Sequence, residues 1–311
     1  MGARRRPRRR RRPGPVPGSG QVQLRIHAAG VNPLDWKVRE GYLSAFVPHQ
    51  LPLVLGWDLA GTVTAVGEDV DGFAVGDRVL GRPAYISGGA YAQYATVPTT
   101  ELAAIPSGLD TLTAAALPLA GTTAYQALVD IADVQPGQHV LVHAAAGGVG
   151  HLAVQLARHL GAHVVATALP ADVGFVHEQL GVHDVITPST AAHHHLRVAA
   201  PNGYDVVLDL LGGDTYQQAF DLTRPGGIVV TTIEFPQPGD AGDHDVRAAR
   251  PDDTPDPKRL AAVAQLAAHG RLTPHIHAVM PLEQTPEAIT LSQTGPTRGK
   301  ILIQPGDPRS R

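Results

Sequence analysis

Between a β-branched run at His139–His143 and an apolar-periodic stretch with Leu152, Leu156 and Leu160, the chain reads Ala144-Ala145-Ala146-Gly147-Gly148-Val149-Gly150. A dinucleotide-binding turn needs G-x-G-x-x-G between a strand and a helix; here the frame is Ala145-x-Gly147-x-x-Gly150. Gly147 lets backbone approach a pyrophosphate, and Gly150 lets the helix pack close to the strand. The first amides of that helix then face the anion, with about 0.3–2 kcal/mol from the dipole alone. Alanine in the first position implies a slightly wider turn. Glycine-rich helix entries also serve plain packing, so the weight of this frame comes from its context. A strand precedes it, an amphipathic helix closed by Gly161 follows, and further strands recur at the right intervals.

Cofactor preference is written at the end of the next strand, His163–Thr167. An acidic residue about 20 residues past the loop would bind the ribose hydroxyls of NAD. Thr167, Ala168 and Leu169 stand there, with nothing acidic before Asp172. Space without an acid favours a 2′-phosphate, hence NADPH, with NADH as the other possibility. His177 and the trio His193-His194-His195 are the nearby sources of partial positive charge.

Other chemistries are excluded by what is missing. There is no cysteine, so a disulfide framework, a Cys-ligated zinc, an iron–sulfur cluster and a thiol nucleophile are all ruled out. The histidine trio reads as a solvated helix start rather than a metal site, since sequence neighbours point different ways on a regular element. No Ser–His–Asp order or carboxylate pair supports hydrolysis. No apolar run approaches the ~18 residues of a spanning helix, and the expected location is cytoplasmic. The net charge of −3 includes eight arginines between Arg4 and Arg12; without them 17 basic residues face 28 acidic ones, or −11. The globular part is therefore acidic, which argues against nucleic acid as a partner. Met1 to Gly20, rich in Arg, Pro and Gly, is expected to be a disordered tail, with a second flexible end at 307–311.

The 311 residues suffice for two domains, and 43% hydrophobic content allows a large core. Val22, Leu24 and Ile26 alternate with polar residues, a strand signal. Thr62–Val66, Asp77–Leu80 and Tyr91–Val97 continue a glycine-punctuated meander that reads as a compact β barrel or sandwich. Thr113–Val129 reads as helical, interrupted around Pro118 and Gly121. From Gln138 strands and helices alternate: a second helix to about Leu180, strands at Val185–Thr187, Asp205–Asp209 and Gly227–Thr232, and a helix near Asp214–Leu222. Such alternation predicts a parallel sheet wrapped by helices, with ligands at the carboxyl ends of its strands. A late helix is expected at Pro257–His269, then strands at Ile276–Met280 and Lys300–Gln304 that return to the first domain.

The run Gly137-Gln138-x-x-Leu141-x-x-x-Ala145-Ala146-Gly147-Gly148-x-Gly150-x-x-x-x-Gln155-x-x-Arg158 resembles the signature of the zinc-independent quinone oxidoreductase (zeta-crystallin-like) branch of the medium-chain dehydrogenase/reductase superfamily. Pro52–Val79, Ala28–Asp35, Leu119–Ala124 and Arg298–Ile301 are similar to the same family. The resemblance implies an α/β fold, with a GroES-like β-barrel catalytic domain (21–122 and 274–306) split around a Rossmann doubly wound parallel-sheet domain (123–273). It further implies hydride transfer from reduced nicotinamide to a quinone or α,β-unsaturated carbonyl (enone), and a homodimer. Carried over residue by residue, it puts Asn32 at the nicotinamide, with Tyr42 as a catalytic partner. Thr123, Ala146, Gly147, Gly148, Val149, Gly150, Thr167, Ala168, Asp209, Leu211, Gly212, Ile233 and Lys300 would line the cofactor site. Asn32 also reads as a turn residue before Pro33. Asp35 and Lys37 read as an ion pair shaping that loop or as part of the pocket, with the structural reading preferred, Asp209 as ordering a strand end, and Tyr42 and Tyr85 each as a pocket aromatic or core.

Two departures stand out. Zinc-dependent relatives carry Gly-His-Glu and a ligand cysteine; this chain has Gly56-Trp57-Asp58 and no cysteine, so no zinc is expected. Relatives also begin with a strand where this chain carries its arginine run, so an N-terminal edge strand is expected to be missing. Two alternatives to a quinone or enone reductase are kept: a non-catalytic NADPH-binding relative, and an enoyl-thioester reductase.

Overall fold

Alternating apolar residues from Gln21 build β1 (Gln21–Val31), in which Val22, Leu24, Ile26 and Ala28 are buried and the residues between them are half-buried. The computed structural model, which describes residues 14–45, 47–252, 254–295 and 297–306, continues with α1 (Pro33–Arg39), β2 (Asp58–Val66), β3 (Arg78–Gly81), β4 (Tyr94–Pro98), β5 (Leu102–Ala104), α2 (Thr111–Ala115) and α3 (Pro118–Tyr125). β1 pairs antiparallel with both β2 and β4, and β2, β3 and β5 follow as an antiparallel meander. The stretch around Asp35, read from sequence as a loop, is helix α1. Pro33 occupies its first turn and the Asp35 carboxylate accepts the Asn32 backbone N–H at 2.7 Å, a helix-start pattern that Asn32-Pro33-x-Asp35 does spell out. Pro118 ends one helical stretch and opens the next. Gly121 does not interrupt anything; it lies inside α3, where a glycine costs only about 1 kcal/mol against alanine.

The next block is β6 (His139–Val142), α4 (Gly150–His159), β7 (His163–Thr167), β8 (Asp184–Ile186), α5 (Ala192–Ala199), β9 (Tyr204–Asp209), α6 (Asp214–Leu222), β10 (Thr223–Thr231) and β11 (Arg247–Ala249). All pairings are parallel, in the order β11-β10-β9-β6-β7-β8. Leu141, Val165, Val207 and Val229 from the sheet pack with Leu196, Tyr216 and Phe220. The helix expected up to Leu180 is present as one unbroken helical run, opening as a 3-10 turn at Pro170–Asp172 and closing as a π-helical turn at Phe175–Gln179. Pro170 stands in its first turn, where the missing N–H has no helical partner to lose.

The chain closes with α7 (Pro257–Ala268), β12 (Ile276–Pro281), α8 (Thr285–Thr294) and β13 (Lys300–Gln304). β13 pairs antiparallel with β1 and parallel with β12, completing a seven-stranded mixed sheet. Its core holds Val22, Leu24, Ile26, Leu59, Val79, Ile301 and Ile303. Two units result: Thr123 to 253 with Arg271–Thr273 form the parallel-sheet unit, and the rest forms the mixed-sheet unit. Residues Thr254–Gly270, read from sequence as part of the parallel-sheet domain, belong to the mixed-sheet unit because α7 packs on β5.

Within the expected N-terminal tail, residues 14–20 are held by side-chain and backbone bonds. Gln23 Nε2 donates to the Pro15 carbonyl (2.6 Å), Ser19 Oγ to Asp69 (2.8 Å) and the Gly20 N–H to the Glu68 carbonyl (2.7 Å). Residues 1–13 and 307–311 lie outside the described residues. Among the described residues no strand precedes β1, and β4 has β1 as its one strand partner. No helix among them is long and apolar enough to cross a membrane.

Candidate functional site

In the parallel-sheet unit the loop from β6 to α4 turns on Ala144, which takes the left-handed conformation at φ 49°. The Thr167 side chain at the end of β7 accepts the Ala144 N–H (3.1 Å), and the Thr167 carbonyl accepts the Ala145 N–H (2.9 Å). His151, fully buried in the first turn of α4, donates through Nδ1 to the Gly147 carbonyl at 2.8 Å. The loop is thus braced from behind on both sides. Its front is open: α4 has no side-chain cap, and no carbonyl or side chain among the described residues accepts the Gly148 or Val149 N–H. Uncapped amides at a helix N-terminus suit an anion. A β-carbon on Gly150 would lie 2.2 Å from the Ala144 carbonyl oxygen, so glycine there is a packing requirement.

The other strand ends supply the walls. Thr167 and Ala168 are buried and Leu169 is exposed, with Asp172 the first acid and itself buried. At the end of β9 the Asp209 carboxylate is saturated. Oδ1 accepts from the Leu211 and Gly212 N–H and the Thr215 hydroxyl; Oδ2 accepts from the Gly212 N–H and the Thr231 hydroxyl, all within 2.8–3.1 Å. Asp209 therefore shapes the turn carrying Leu211 and Gly212 and ties it to the end of β10. Leu211 and Ile233 are left exposed beside it. His143, absent from the sequence-derived site, is buried between these elements. Its Nδ1 lies 3.1 Å from Thr167 Oγ1 and its Nε2 has no partner. Burial holds its pKa below the usual histidine value, against the opposing pull of Asp209. Thr123 is buried in α3.

In the mixed-sheet unit Asn32 and Lys300, both carried into the cofactor site by resemblance, meet each other directly. Lys300 Nζ donates to Asn32 Oδ1 (2.5 Å), Asp58 Oδ2 (3.0 Å) and the Val31 carbonyl (3.2 Å). Asn32 Nδ2 donates to Asp58 Oδ2 at 2.9 Å, and Asp58 Oδ1 accepts the Leu119 N–H at 2.6 Å. Gly30 makes room for this: a β-carbon there would fall 2.5 Å from Asp58 Oδ2. Asn32, Asp58 and Lys300 are 3%, 0% and 2% exposed, so this is a charged knot inside an apolar barrel core.

Asp35 adjoins the knot through the Asn32 backbone. Burial pushes its pKa up to about 7, partly countered by the Asn32 N–H and the Tyr91 hydroxyl. Its unfolded value is 3.8, so between there and about 7 the folded chain holds the extra proton. Stability from this group is then fully present below the unfolded value and is lost as pH rises to the folded one. Asp35→Asn mimics the protonated acid and should remove that slope, about 1.4 kcal/mol per pH unit. In urea unfolding the variant should gain on the parent between about pH 5 and about pH 7; parallel curves would refute the assignment. Lys37 does not shape this loop through Asp35: its ammonium lies over the Trp36 ring, 5.7 Å from the centroid. Tyr42, 66% exposed, stands edge-on to Trp36 at 5.9 Å and makes no bond to Asn32. Tyr85 is half-buried under the Arg82 guanidinium.

Comparison with known proteins agrees with this architecture. Family models described as the alcohol dehydrogenase GroES-like domain and as zinc-binding dehydrogenase match residues 18–107 and 180–303. A chloroplast envelope quinone oxidoreductase homolog of Arabidopsis thaliana is 31% identical over 302 residues, covering 92% of this chain and 90% of its own. The chain belongs to the quinone oxidoreductase-like branch of the medium-chain dehydrogenase/reductase superfamily. A 2-haloacrylate reductase of Burkholderia is 40% identical over 215 residues, 68% of this chain and 64% of its own. The quinone oxidoreductase structure from Coxiella burnetii superposes with a TM-score of 0.85 at 31% identity, covering 94% of this chain and 93% of that one.

Membership in a superfamily with zinc-binding members raises the question of a metal. Trp57 is fully buried with its indole N–H on the Ala84 carbonyl (3.1 Å), and Asp58 is consumed by Lys300, Asn32 and Leu119. Among the described residues no three His, Asp or Glu side chains are grouped to hold a metal ion. The donor set does not fit zinc. A dinucleotide does fit, at the open amides before α4. His193, His194 and His195 sit at the start of α5, as read from sequence, with His193 4.0 Å from Asp221.

Proposed function

We propose that this oxidoreductase uses NADPH to reduce a quinone or an α,β-unsaturated carbonyl, without a metal. The observation that carries the reading is the braced, open-fronted loop at 144–150, whose amides await a pyrophosphate. The cofactor would be held by the Gly148 and Val149 amides, by the close backbone at Gly147, and by the walls at Thr167, Ala168, Leu211, Gly212 and Ile233. When bound, its nicotinamide would supply a hydride to an electron-poor carbon. The protein's share is then positioning and exclusion of water. The names of the quinone oxidoreductase and haloacrylate reductase relatives support electron-poor C=C and quinoid substrates. The acid-free end of β7 supports NADPH over NADH.

The test is NADPH consumption across a panel of quinones, enones and enoyl thioesters, before and after exhaustive chelation. We expect turnover that survives chelation, and tighter binding of NADPH than of NADH by fluorescence titration. Stoichiometric NADPH binding without turnover on any acceptor would replace this reading with a non-catalytic binder. Activity lost to chelation and restored by zinc would refute metal independence, and equal or tighter NADH binding would refute the cofactor preference.

A further inference from the structure

In the parallel-sheet unit, β6 opens on His139 and β7 on His163. Both strand starts lie at the end of the sheet opposite the 144–150 loop, which follows β6. The two histidines are directly opposite each other in register, so their side chains leave the same face. Their rings stand 5.2 Å apart, centre to centre, inclined by 35°. The backbone beneath them is laced. The His163 N–H donates to the Gln138 carbonyl, the Gly137 N–H to the Gly161 carbonyl and the His139 N–H to Asp205 Oδ2, each at 2.8 Å. The imidazoles themselves hold nothing: among the described residues no hydrogen bond or ion pair reaches a ring nitrogen of either one. Both are exposed, on an open cavity of about 440 Å³ that Arg158, His183 and Asp184 also line. Arg158 spends Nη1 on the Leu180 carbonyl at 2.8 Å. One cationic and one anionic side chain give the cavity little net charge bias, so what distinguishes it is its two free nitrogen donors.

We propose that His139 and His163 form a two-imidazole site for a divalent transition-metal ion, taking Cu2+ in preference to Ni2+ or Zn2+. A metal–nitrogen bond of about 2.0–2.1 Å puts the centre of a ligating imidazole about 3.2 Å from the ion. Two such rings have centres about 5.2 Å apart at a tetrahedral angle and about 4.5 Å apart at a right angle. The separation between His139 and His163 is therefore already that of a ligated pair. Each untethered ring has only to turn about χ2, a torsion with broad wells, to aim a nitrogen at the ion. The laced backbone fixes both donors before the ion arrives, which keeps the ordering cost low. With nitrogen donors and no thiolate, affinity follows the general order of divalent ions, in which Cu2+ stands first. No third protein ligand is grouped with the pair, so water completes the shell. This is a solvent-facing site that loads and empties with free ion, unlike the closed site of a structural zinc. It is independent of the reductase reading above.

The experiment titrates the full chain with Cu2+ by isothermal calorimetry and counts bound imidazoles by pulsed electron paramagnetic resonance at half an equivalent of the ion. The parent should show two imidazoles on the first ion bound. His139→Ala and His163→Ala should each lose that signal and weaken the first binding step by about a hundredfold, the scale of losing a tethered second contact. Both rings are exposed, so these variants should fold as the parent does, which circular dichroism checks. The other histidine cluster supplies the control. Replacing His193, His194 and His195 together by alanine should leave the first step within about threefold of the parent, because sites without shared partners act independently. Ni2+ and Zn2+ should bind the parent at least about tenfold more weakly than Cu2+. The proposal is overturned if either single variant binds the first Cu2+ as tightly as the parent, or if the first ion carries fewer than two imidazoles. Loss of the first step in the variant lacking the 193–195 trio would place the ion there and overturn it too. Tighter binding of Ni2+ or Zn2+ than of Cu2+ would overturn the choice of ion.

Discussion

Gly147→Val is expected to fold and lose NADPH, while Gly150→Ala is expected to lose stability before any cofactor is added. The two glycines stand three residues apart in one loop but answer to different neighbours. A β-carbon on Gly147 meets only the Ala144 carbonyl oxygen, at 3.2 Å, a contact that a few tenths of an ångström of give relieves. The position matters when phosphate approaches the amides of the helix N-terminus, because a side chain there holds the anion away. Hydrogen bonds to charged groups contribute about 1.5–3 kcal/mol each. At 1.4 kcal/mol per tenfold, losing one or two should raise the Kd for NADPH by roughly one to two orders of magnitude or more. At Gly150 the added carbon would sit 2.2 Å from the Ala144 oxygen and 2.9 Å from the Ala144 carbonyl carbon and the Ala145 Cα, all backbone. The loop must move or α4 must lift, at a cost of about 1–3 kcal/mol or more. Fluorescence titration with NADPH and urea unfolding of the apoprotein separate the cases. A folded Gly147→Val that binds NADPH like the parent would show that the loop is packing alone, and the oxidoreductase reading would fall with it.

Asp209→Ala should destabilise the chain by about 3–5 kcal/mol, the cost of stripping a buried charge from its partners. The carboxylate is fully buried and accepts five bonds, so truncation leaves the Leu211 and Gly212 N–H groups and the Thr215 and Thr231 hydroxyls without an acceptor. Asp209→Asn should recover only part of this, since its NH2 would face donors. Because the turn it holds carries Leu211 and Gly212, affinity for NADPH should weaken in both variants. Urea unfolding with the titration above provides the check. A variant within about 1 kcal/mol of the parent would mean the turn is held by other contacts.

Much of this was legible in the chain because the signals are local. The glycine frame at 145–150, the helix at Asp214–Leu222 and the strand at Lys300–Gln304 each depend on periodicity and turn chemistry within a dozen residues. The departure from a zinc site was legible too, since a missing cysteine and Trp57 need no coordinates. Asn32-Pro33-x-Asp35 carried its helix signal openly, yet the following Trp36, Lys37 and Arg39 lack a clean apolar stripe, and α1 reads as loop without its packing on α8.

What the chain could not reveal is which polar groups are spent on one another. In sequence, Asp58 is the residue beside a lost zinc ligand and Lys300 is a basic residue near the C-terminus. Only pairing β1 with β2 and β13 brings Gly30, Asp58 and Lys300 to the same layer and turns two surface-type residues into a buried pair holding Asn32. The same holds for His143, whose unpartnered Nε2 is set by burial among three strand ends. Backbone pattern is encoded by neighbours along the chain, whereas desolvation and hydrogen-bond saturation depend on residues hundreds of positions away, and those only the tertiary structure decides.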